Sequence, residues 1–362
     1  MTTDGVRMPG RQCNGETIVP GTPEGPRITI AEIAREAGVS TPTVSKVLNG
    51  HSQVAPETRA RVEDLLQRHN YLRRRARPKE TVGLVDLAIR EVDSLWSAEV
   101  VQGVQREAAE HGVCVVVTAT HGGTTADATD RWLGNVSKRG SDGIILAVTE
   151  LTTAQRRRIM PLGIPMAVVD PVGSPEAGIP AVGATNWQGG RAATQHLIEL
   201  GHRRIGILQG AQETVCAWAR LDGYRSALEA AGIAVDPTLI RPGDFYYTTG
   251  FSGMRDLLAL PEPPSAVFAS SDLMALGAYE AIRKAGLRVG QDVSVVGFDD
   301  VPNSAWASPP LTTVRQPLRE MAAMAARIVL QGERTVFPDG TQRMELATRL
   351  VVRESTGAVP GR

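Results

Sequence analysis

Cysteine is scarce. Three residues, Cys13, Cys114 and Cys216, stand far apart in a chain of 362. An odd number without Cys-x-x-Cys spacing offers neither a disulfide framework nor a thiolate metal site, and it fits a reducing compartment. Aromatic residues are also few, with five each of Phe, Trp and Tyr. The core must then be built from Val, Ile, Leu and Ala, as in α/β proteins. No apolar run approaches the length of a membrane span, and the first residues lack the apolar stretch of a signal peptide. These absences lead us to expect a cytoplasmic protein with no membrane partner, in which the sequon Asn135-Val136-Ser137 is a chance match. Enzyme signatures are missing too: there is no Walker-type phosphate loop, G-x-S-x-G elbow or H-E-x-x-H. His111, His121, His196 and His202 are not paired at ligand spacing. Asp299 and Asp300 are adjacent, so in a strand they diverge rather than form a dyad. We therefore expect no enzymatic activity, no cofactor and no metal.

Neither charge sign dominates, since Lys plus Arg and Asp plus Glu each total 39. The distribution is more telling. Arg73, Arg74, Arg75, Arg77 and Lys79 form a basic block whose local field survives the neutral average. The length suggests two or three domains. Residues 1–26 are broken by Gly and Pro without periodicity and read as a disordered tail, or as a start codon assigned too early. The pattern then changes abruptly. Thr29 can cap a short helix carrying Ile30, Ile33, Ala34 and Ala37 at helical spacing. Gly38-Val39 makes a turn, with Gly38 accepting the positive φ that ends the helix. Ser40 caps a second helix through Val44, Val47 and Leu48, with Pro42 in its first turn, where a missing N–H costs nothing. A third helix runs from Pro56 to about His69.

This is a helix-turn-helix. The small Ala34 and Ala37 let the second helix cross the first closely, and its first turn is free to meet a DNA groove. Thr41, Pro42 and Lys46 are the candidate base readers; Ser40, Thr43, Ser45 and Asn49 carry short polar groups suited to phosphates. Pro42 has no side-chain hydrogen bond to give, so Lys46 is the strongest candidate for reading a guanine. The alternatives are a phosphate contact for Lys46, and three helices that merely cap a larger body.

Beyond the basic block, strands alternate with amphipathic helices. Strand-like runs fall at 81–87, 113–118, 143–148, 165–170, 204–208, 266–269 and 293–298; helical stretches fall at 99–111, 189–200, 220–231 and 271–285. Short apolar strands separated by helices imply parallel sheets with both faces covered. The repeats are too many for one small sheet, so we expect two open sheets with a cleft between them. Residues just past strand ends aim into such a cleft. Asp170 and Asp299 stand there as acceptors of hydroxyl groups. Arg220, which we expect to open a helix, could fork onto paired hydroxyls or a carboxylate.

The stretch from Ile28 to Tyr71, with Thr43-Val44-Ser45-Lys46-Val47-Leu48-Asn49-Gly50 and Val54-Ala55-Pro56-Glu57-Thr58-Arg59, closely resembles the headpiece of the LacI family of bacterial regulators. The remainder resembles that family's core, similar to periplasmic binding proteins, through Leu200-Gly201-His202-Arg203-Arg204, Arg220-Leu221-Asp222-Gly223-Tyr224, Ser271-Asp272-Leu273-Met274, Val296-Gly297-Phe298-Asp299-Asp300 and Pro309-Pro310-Leu311-Thr312-Thr313-Val314. The resemblance implies a headpiece at 27–72, a linker at 73–80 and a core at 81–362. In that core, one lobe takes 81–183 and 316–340 and the other 184–311 and 344–354, with crossings near Gly183, 312–316 and Met344. It also implies ligand contacts at Arg220, Asp299, Phe245 and Ser271, with Asp170 and Asp272 beside them and Trp96 as an aromatic from the first lobe. Phe245 and Trp96 could stack on a pyranose ring, though a lone aromatic more often just packs an edge. Asp272 reads rather as a helix cap, and Asp300 as a turn residue.

The function so implied is that of a DNA-binding regulator, a repressor by default. It would act as a homodimer or higher oligomer on a near-palindromic double-stranded operator. A small carbohydrate in the cleft would change the spacing of the headpieces. A corepressor-type regulator sensing a purine or a partner protein would use the same architecture. A solute-binding protein would need a signal sequence and no headpiece. One departure concerns the linker: it is short, lacks the family's leucine after Ala76-Arg77, and carries Pro78. Arg73, Arg74, Arg75 and Arg77 would then dock electrostatically in the minor groove without a leucine wedge, unless the linker is simply solvated.

Overall fold

The computed structural model describes residues 29–48, 54–68, 82–120, 125–149, 151–173, 179–331 and 343–359. The tail, Asn49 and the linker arginines Arg73, Arg74, Arg75 and Arg77 lie outside the described residues. The chain divides into two units, Met1–Lys79 and Glu80–Arg362.

In the first unit, helices α1 (Ile30–Glu36), α2 (Thr41–Leu48) and α3 (Pro56–Arg68) pack around one core. Thr29 caps α1 through a reciprocal box: its hydroxyl accepts from the Glu32 N–H, and the Glu32 carboxylate accepts from the Thr29 N–H at 2.6 Å. Gly38 ends the helix at φ +66°, as its lack of a Cβ allows. Ile33, Ala34 and Ala37 of α1 and its end meet Val44 and Val47 of α2 and Val62 and Leu65 of α3. Full burial of Ile33, Val44 and Val62 contributes about 1.5–3 kcal/mol each.

The second unit holds two sheets. To the first belong β1 (Leu84–Ile89), β2 (Cys114–Ala119), β3 (Gly143–Ala147), β4 (Met166–Val169), β5 (Ala181–Ala184) and β11 (Arg343–Leu346). To the second belong β6 (Ile205–Leu208), β7 (Ile240–Arg241), β8 (Ala266–Ala269), β9 (Ser294–Asp299), β10 (Thr312–Arg315) and β12 (Arg349–Val351). The helices between them are α4 (Leu95–Glu110), α5 (Thr125–Arg139), α6 (Thr153–Ile159), α7 (Asn186–Glu199), α8 (Val215–Ala230), α9 (Tyr247–Leu258), α10 (Asp272–Lys284), α11 (Pro302–Trp306) and α12 (Leu318–Gln331). The strand orders β11-β5-β4-β3-β1-β2 and β12-β10-β9-β8-β6-β7 are equivalent. In each sheet the first strand lies between the second and the third, which creates a switch point where loops diverge. All pairings are parallel except β10 with β12.

Several elements depart from the sequence reading. The first strand starts at Leu84 rather than at Thr81; just before it, the Asp142 carboxylate accepts the N–H groups of Val82 and Gly83, as well as that of Leu84 itself. Strands β5, β7, β10, β11 and β12 have two to four residues, too few for a periodic signal. Because β11 pairs with β5, the third passage between lobes follows Leu346, close to Met344. The other passages follow Ala184 and Arg315.

The first and third passages are tied together. Thr348 donates its N–H to Thr185 Oγ1 at 2.9 Å and its hydroxyl to the Thr185 carbonyl at 3.1 Å. Helices α7 and α8 cross at glycines: a Cβ on Gly190 would stand 2.3 Å from the Arg220 carbonyl oxygen. Gly190→Ala is thus expected to push α8 outward and destabilise the protein by about 1–3 kcal/mol in a denaturant titration; an unchanged midpoint would contradict that crossing. His202, fully buried, bonds Ser265, Ser294 and the Gly357 carbonyl, so it serves as a pin between strands.

Candidate functional site

On α2, Val44 and Val47 point into the core, which leaves Thr41, Pro42 and Lys46 exposed on the outer face and Ser45 half-buried. The hydroxyls of Ser40 and Thr43 bond each other at 2.9 Å, and Ser40 Oγ accepts the Thr43 N–H at 3.4 Å. Ser40 therefore caps α2 as its position suggests, and it occupies the Thr43 hydroxyl in doing so. The exposed first turn and Lys46 form one face with a cation among small polar groups. Such a face suits the edge of a nucleic-acid groove.

The second unit contains a cleft of about 240 Å³ at the carboxyl ends of the strands of both sheets. Trp96, Asp170, Arg220, Phe245, Ser271 and Asp299 all line it. Arg220 is only 2 % exposed. It does not open a helix: α8 starts at Val215, and Arg220 lies in its second turn. Its Nε donates to Asn186 Oδ1 at 2.9 Å, and its Nη1 donates to the Ser270 carbonyl at 2.6 Å. The guanidinium stacks 3.8 Å from the centre of the Phe298 ring and 5.5 Å from that of Phe245. Clamped on three sides, it presents its remaining edge without rotamer freedom. Phe245 sits at φ +75° and Asp170 at +49°, left-handed conformations that carry backbone strain at the cleft wall.

Asp272 must be moved. It is the first residue of α10, and Ser271 is the cap that accepts the Met274 N–H at 3.1 Å. The Asp272 carboxylate is fully buried and accepts from Thr313, Ser304 and the Val301 N–H, outside the cleft lining. It ties α10 to β10. Asp300 is more than a turn residue: its carboxylate is buried between Arg315 and Arg353. Asp299 and Asp300 do diverge, the first facing the cleft and the second leaving it.

Burial pushes the Asp299 carboxyl up to about 7, against the pull of Arg220 and a 2.6 Å hydrogen bond from Gln316 Nε2. Asp170 is raised for the same first reason, with Arg220 opposing. A carboxyl raised on folding binds its proton more tightly in the folded chain. Its stabilising contribution is present below about pH 4 and is lost as pH rises through about 7. Asp299→Asn should therefore melt above the parent at pH 8, with the gap closing or reversing at pH 5. Parallel melting profiles across that range would contradict the assignment.

Sequence reasoning missed a second group of residues. Glu91 and Asp93 follow β1 just as Asp170 follows β4, so the same strand-end rule could have found them. Asp244 and Tyr246 follow the two-residue β7, which left no signal. Cys216 lies beside Asp170, its thiol pushed up to about 12 by burial and by the Asp170 charge, so it is a neutral donor rather than a nucleophile. The lobes also touch across the cleft. Tyr246 donates its hydroxyl to Glu91, Arg90 stands 3.5 Å from Glu213, and the Val215 N–H donates to the Val172 carbonyl at 2.8 Å. Among the described residues, no group of His, Cys, Asp and Glu could hold a metal ion, and no helix is long and apolar enough to cross a membrane.

Comparison with known proteins agrees with both units. Residues 29–74 match the bacterial regulatory proteins of the lacI family, and residues 194–356 match the periplasmic binding protein-like domain. The HTH-type transcriptional regulator CelR of Thermobifida fusca is 38% identical over 344 residues, covering 91% of this chain and 98% of its own. A solved transcriptional regulator CelR–cellobiose complex superposes with a TM-score of 0.68 at 37% identity, covering 91% of this chain and 100% of that one. The lac repressor dimer bound to operator and the anti-inducer ONPF gives 0.65 at 28% identity, covering 92% and 100%. The similarity thus runs through both units and along nearly the whole chain, which belongs to the LacI family of bacterial regulatory proteins.

Proposed function

We propose that this protein is a transcriptional repressor that binds operator DNA as a homodimer and is released by an uncharged, polyhydroxylated effector, a small carbohydrate, held in the cleft. The observation that carries the effector reading is Arg220, locked by Asn186 and Ser270 and faced by Asp170 and Asp299 from the two lobes. A fork donor between two carboxyl acceptors matches a set of vicinal hydroxyls, each of which can donate and accept. Phe245 and Trp96 supply apolar surface for a sugar ring face. Charge narrows the class further. Among the described residues, Glu91, Asp93, Asp170, Asp244 and Asp299 face the cleft against only Arg90 and Arg220, which disfavours sugar phosphates and uronic acids.

DNA binding rests on the exposed face of α2 and on the operator-bound state of the lac repressor dimer to which the chain is similar. The test is direct. A duplex selected by the full-length protein from a random library is titrated with protein in the presence of neutral mono- and disaccharides, sugar phosphates and purines. Release by a neutral sugar alone is the expected result. Tighter DNA binding in the presence of a purine would instead favour the corepressor-type reading, since the aromatic walls can also stack a base. Equal DNA affinity with every compound would exclude small-molecule control.

A further inference from the structure

A second cavity, of about 560 Å³, lies against the passages at Gln316, Pro317 and Ala347. Its wall carries Arg315, Arg319, Arg349 and Arg353 against Glu99, Asp300 and Glu320. The pairing is uneven. Arg319 is forked onto Glu99 at 2.6 and 2.8 Å, which leaves that pair neutral. Asp300, its side chain 3% exposed, accepts from both Arg315 and Arg353, the latter at 2.6 Å. Arg349 has no acidic partner among the described residues and stands directly opposite Arg315 in the antiparallel register of β10 and β12. Like charges so placed repel across a strand pair. Among the described residues, three guanidiniums therefore line the cavity against one buried carboxylate, with Glu320 at the rim. The amino end of α12, fourteen residues long, adds the positive end of its dipole to the same wall.

We propose that this cavity is a second ligand site, separate from the effector cleft, that takes inorganic phosphate or a phosphate monoester on Arg315, Arg349 and Arg353. Planar guanidinium forks match the oxygens of a tetrahedral oxyanion, and a doubly charged phosphate offsets the surplus of positive charge. An anion between Arg315 and Arg349 turns their repulsion into a shared attraction. The site also joins the lobes: α12 packs in the first lobe's core, whereas Arg315 and Arg349 lie in the second sheet. Gln316 lines this cavity and donates to Asp299 of the effector cleft at 2.6 Å, so occupancy of one site biases the other, reciprocally.

Calorimetric titration of the full-length protein with inorganic phosphate and with pyrophosphate, at constant ionic strength balanced by chloride, tests the site. Arg349 is exposed, holds no ion pair among the described residues and faces Arg315, so Arg349→Gln and Arg349→Glu should fold and melt at or above the parent. The parent is expected to bind one phosphate per chain saturably. Affinity should fall about tenfold in Arg349→Gln and be lost in Arg349→Glu. Absence of saturable binding by both probes, or equal affinity in all three proteins, would overturn the proposal.

Discussion

Replacing Arg220 by Gln is expected to abolish the effector response and to lower the stability of the unliganded protein, with the second loss larger at pH 8 than at pH 5. The two effects have separate causes. For the ligand, a charge-assisted fork to paired hydroxyls is worth about 1.5–3 kcal/mol, which is roughly a tenfold to hundredfold loss of affinity. For the fold, Asp170 and Asp299 lose the cation that opposes their desolvation. Removing one partner from a buried charge pair typically costs about 3–5 kcal/mol. Here protonation limits the damage. At pH 5 Asp299, raised to about 7, holds its proton and needs no counter-charge, and burial raises Asp170 in the same direction; at pH 8 Asp299 must ionise without Arg220 or hold its proton against the solvent. Thermal melts with and without the sugar, at both pH values, separate the outcomes. A pH-independent loss of stability would assign Arg220 to packing alone, and an undiminished sugar response would remove it from the site.

Lys46→Ala is the second change with a large expected effect, and it acts on the other unit. Its side chain is exposed on α2 and makes no contribution to the headpiece core, so the melting of both units should be unaffected. Specific DNA affinity is expected to fall about tenfold to a hundredfold, the range of one good base contact. The dependence on salt should weaken by about one released counterion. The pattern across sequences carries the interpretation. If Lys46 reads a base, the loss falls on duplexes that keep that base and is small on those altered at that one position in each half-site; if it holds a phosphate, all duplexes weaken alike. A variant that binds the selected duplex as tightly as the parent would take Lys46 out of the interface.

How legible the protein was follows the distance over which each feature is specified. The headpiece is local: Thr29, Gly38 and Ser40 act on residues at most three or four positions away, and the structure places all three as the sequence implied. The fully buried strand β3, read as a continuous apolar run, is local in the same sense. Arg220, Asp170 and Asp299 were found because strand ends and a family motif mark them. The contact between Tyr246 and Glu91 was not legible, because they are 155 positions apart and only folding brings them together. The role of Asp272 was misjudged for a like reason. Nothing in its neighbourhood reveals that Thr313 and Ser304 come to meet it, whereas the preceding serine has the usual signature of a cap.

The equivalent strand orders of the two sheets have a kinetic consequence. Asp170 follows the fourth strand of its sheet and Asp299 ends the fourth strand of the other, so each lobe contributes its acid from the matching place. A molecule held by both acids is bound to two bodies at once, and it cannot depart by leaving one of them first while the Tyr246–Glu91 contact stays closed. Its residence time is then set by how often the lobes part rather than by the strength of any single contact. Ligands that engage both acids more strongly would hold the lobes together for longer, and they would differ in affinity mainly through how slowly they leave.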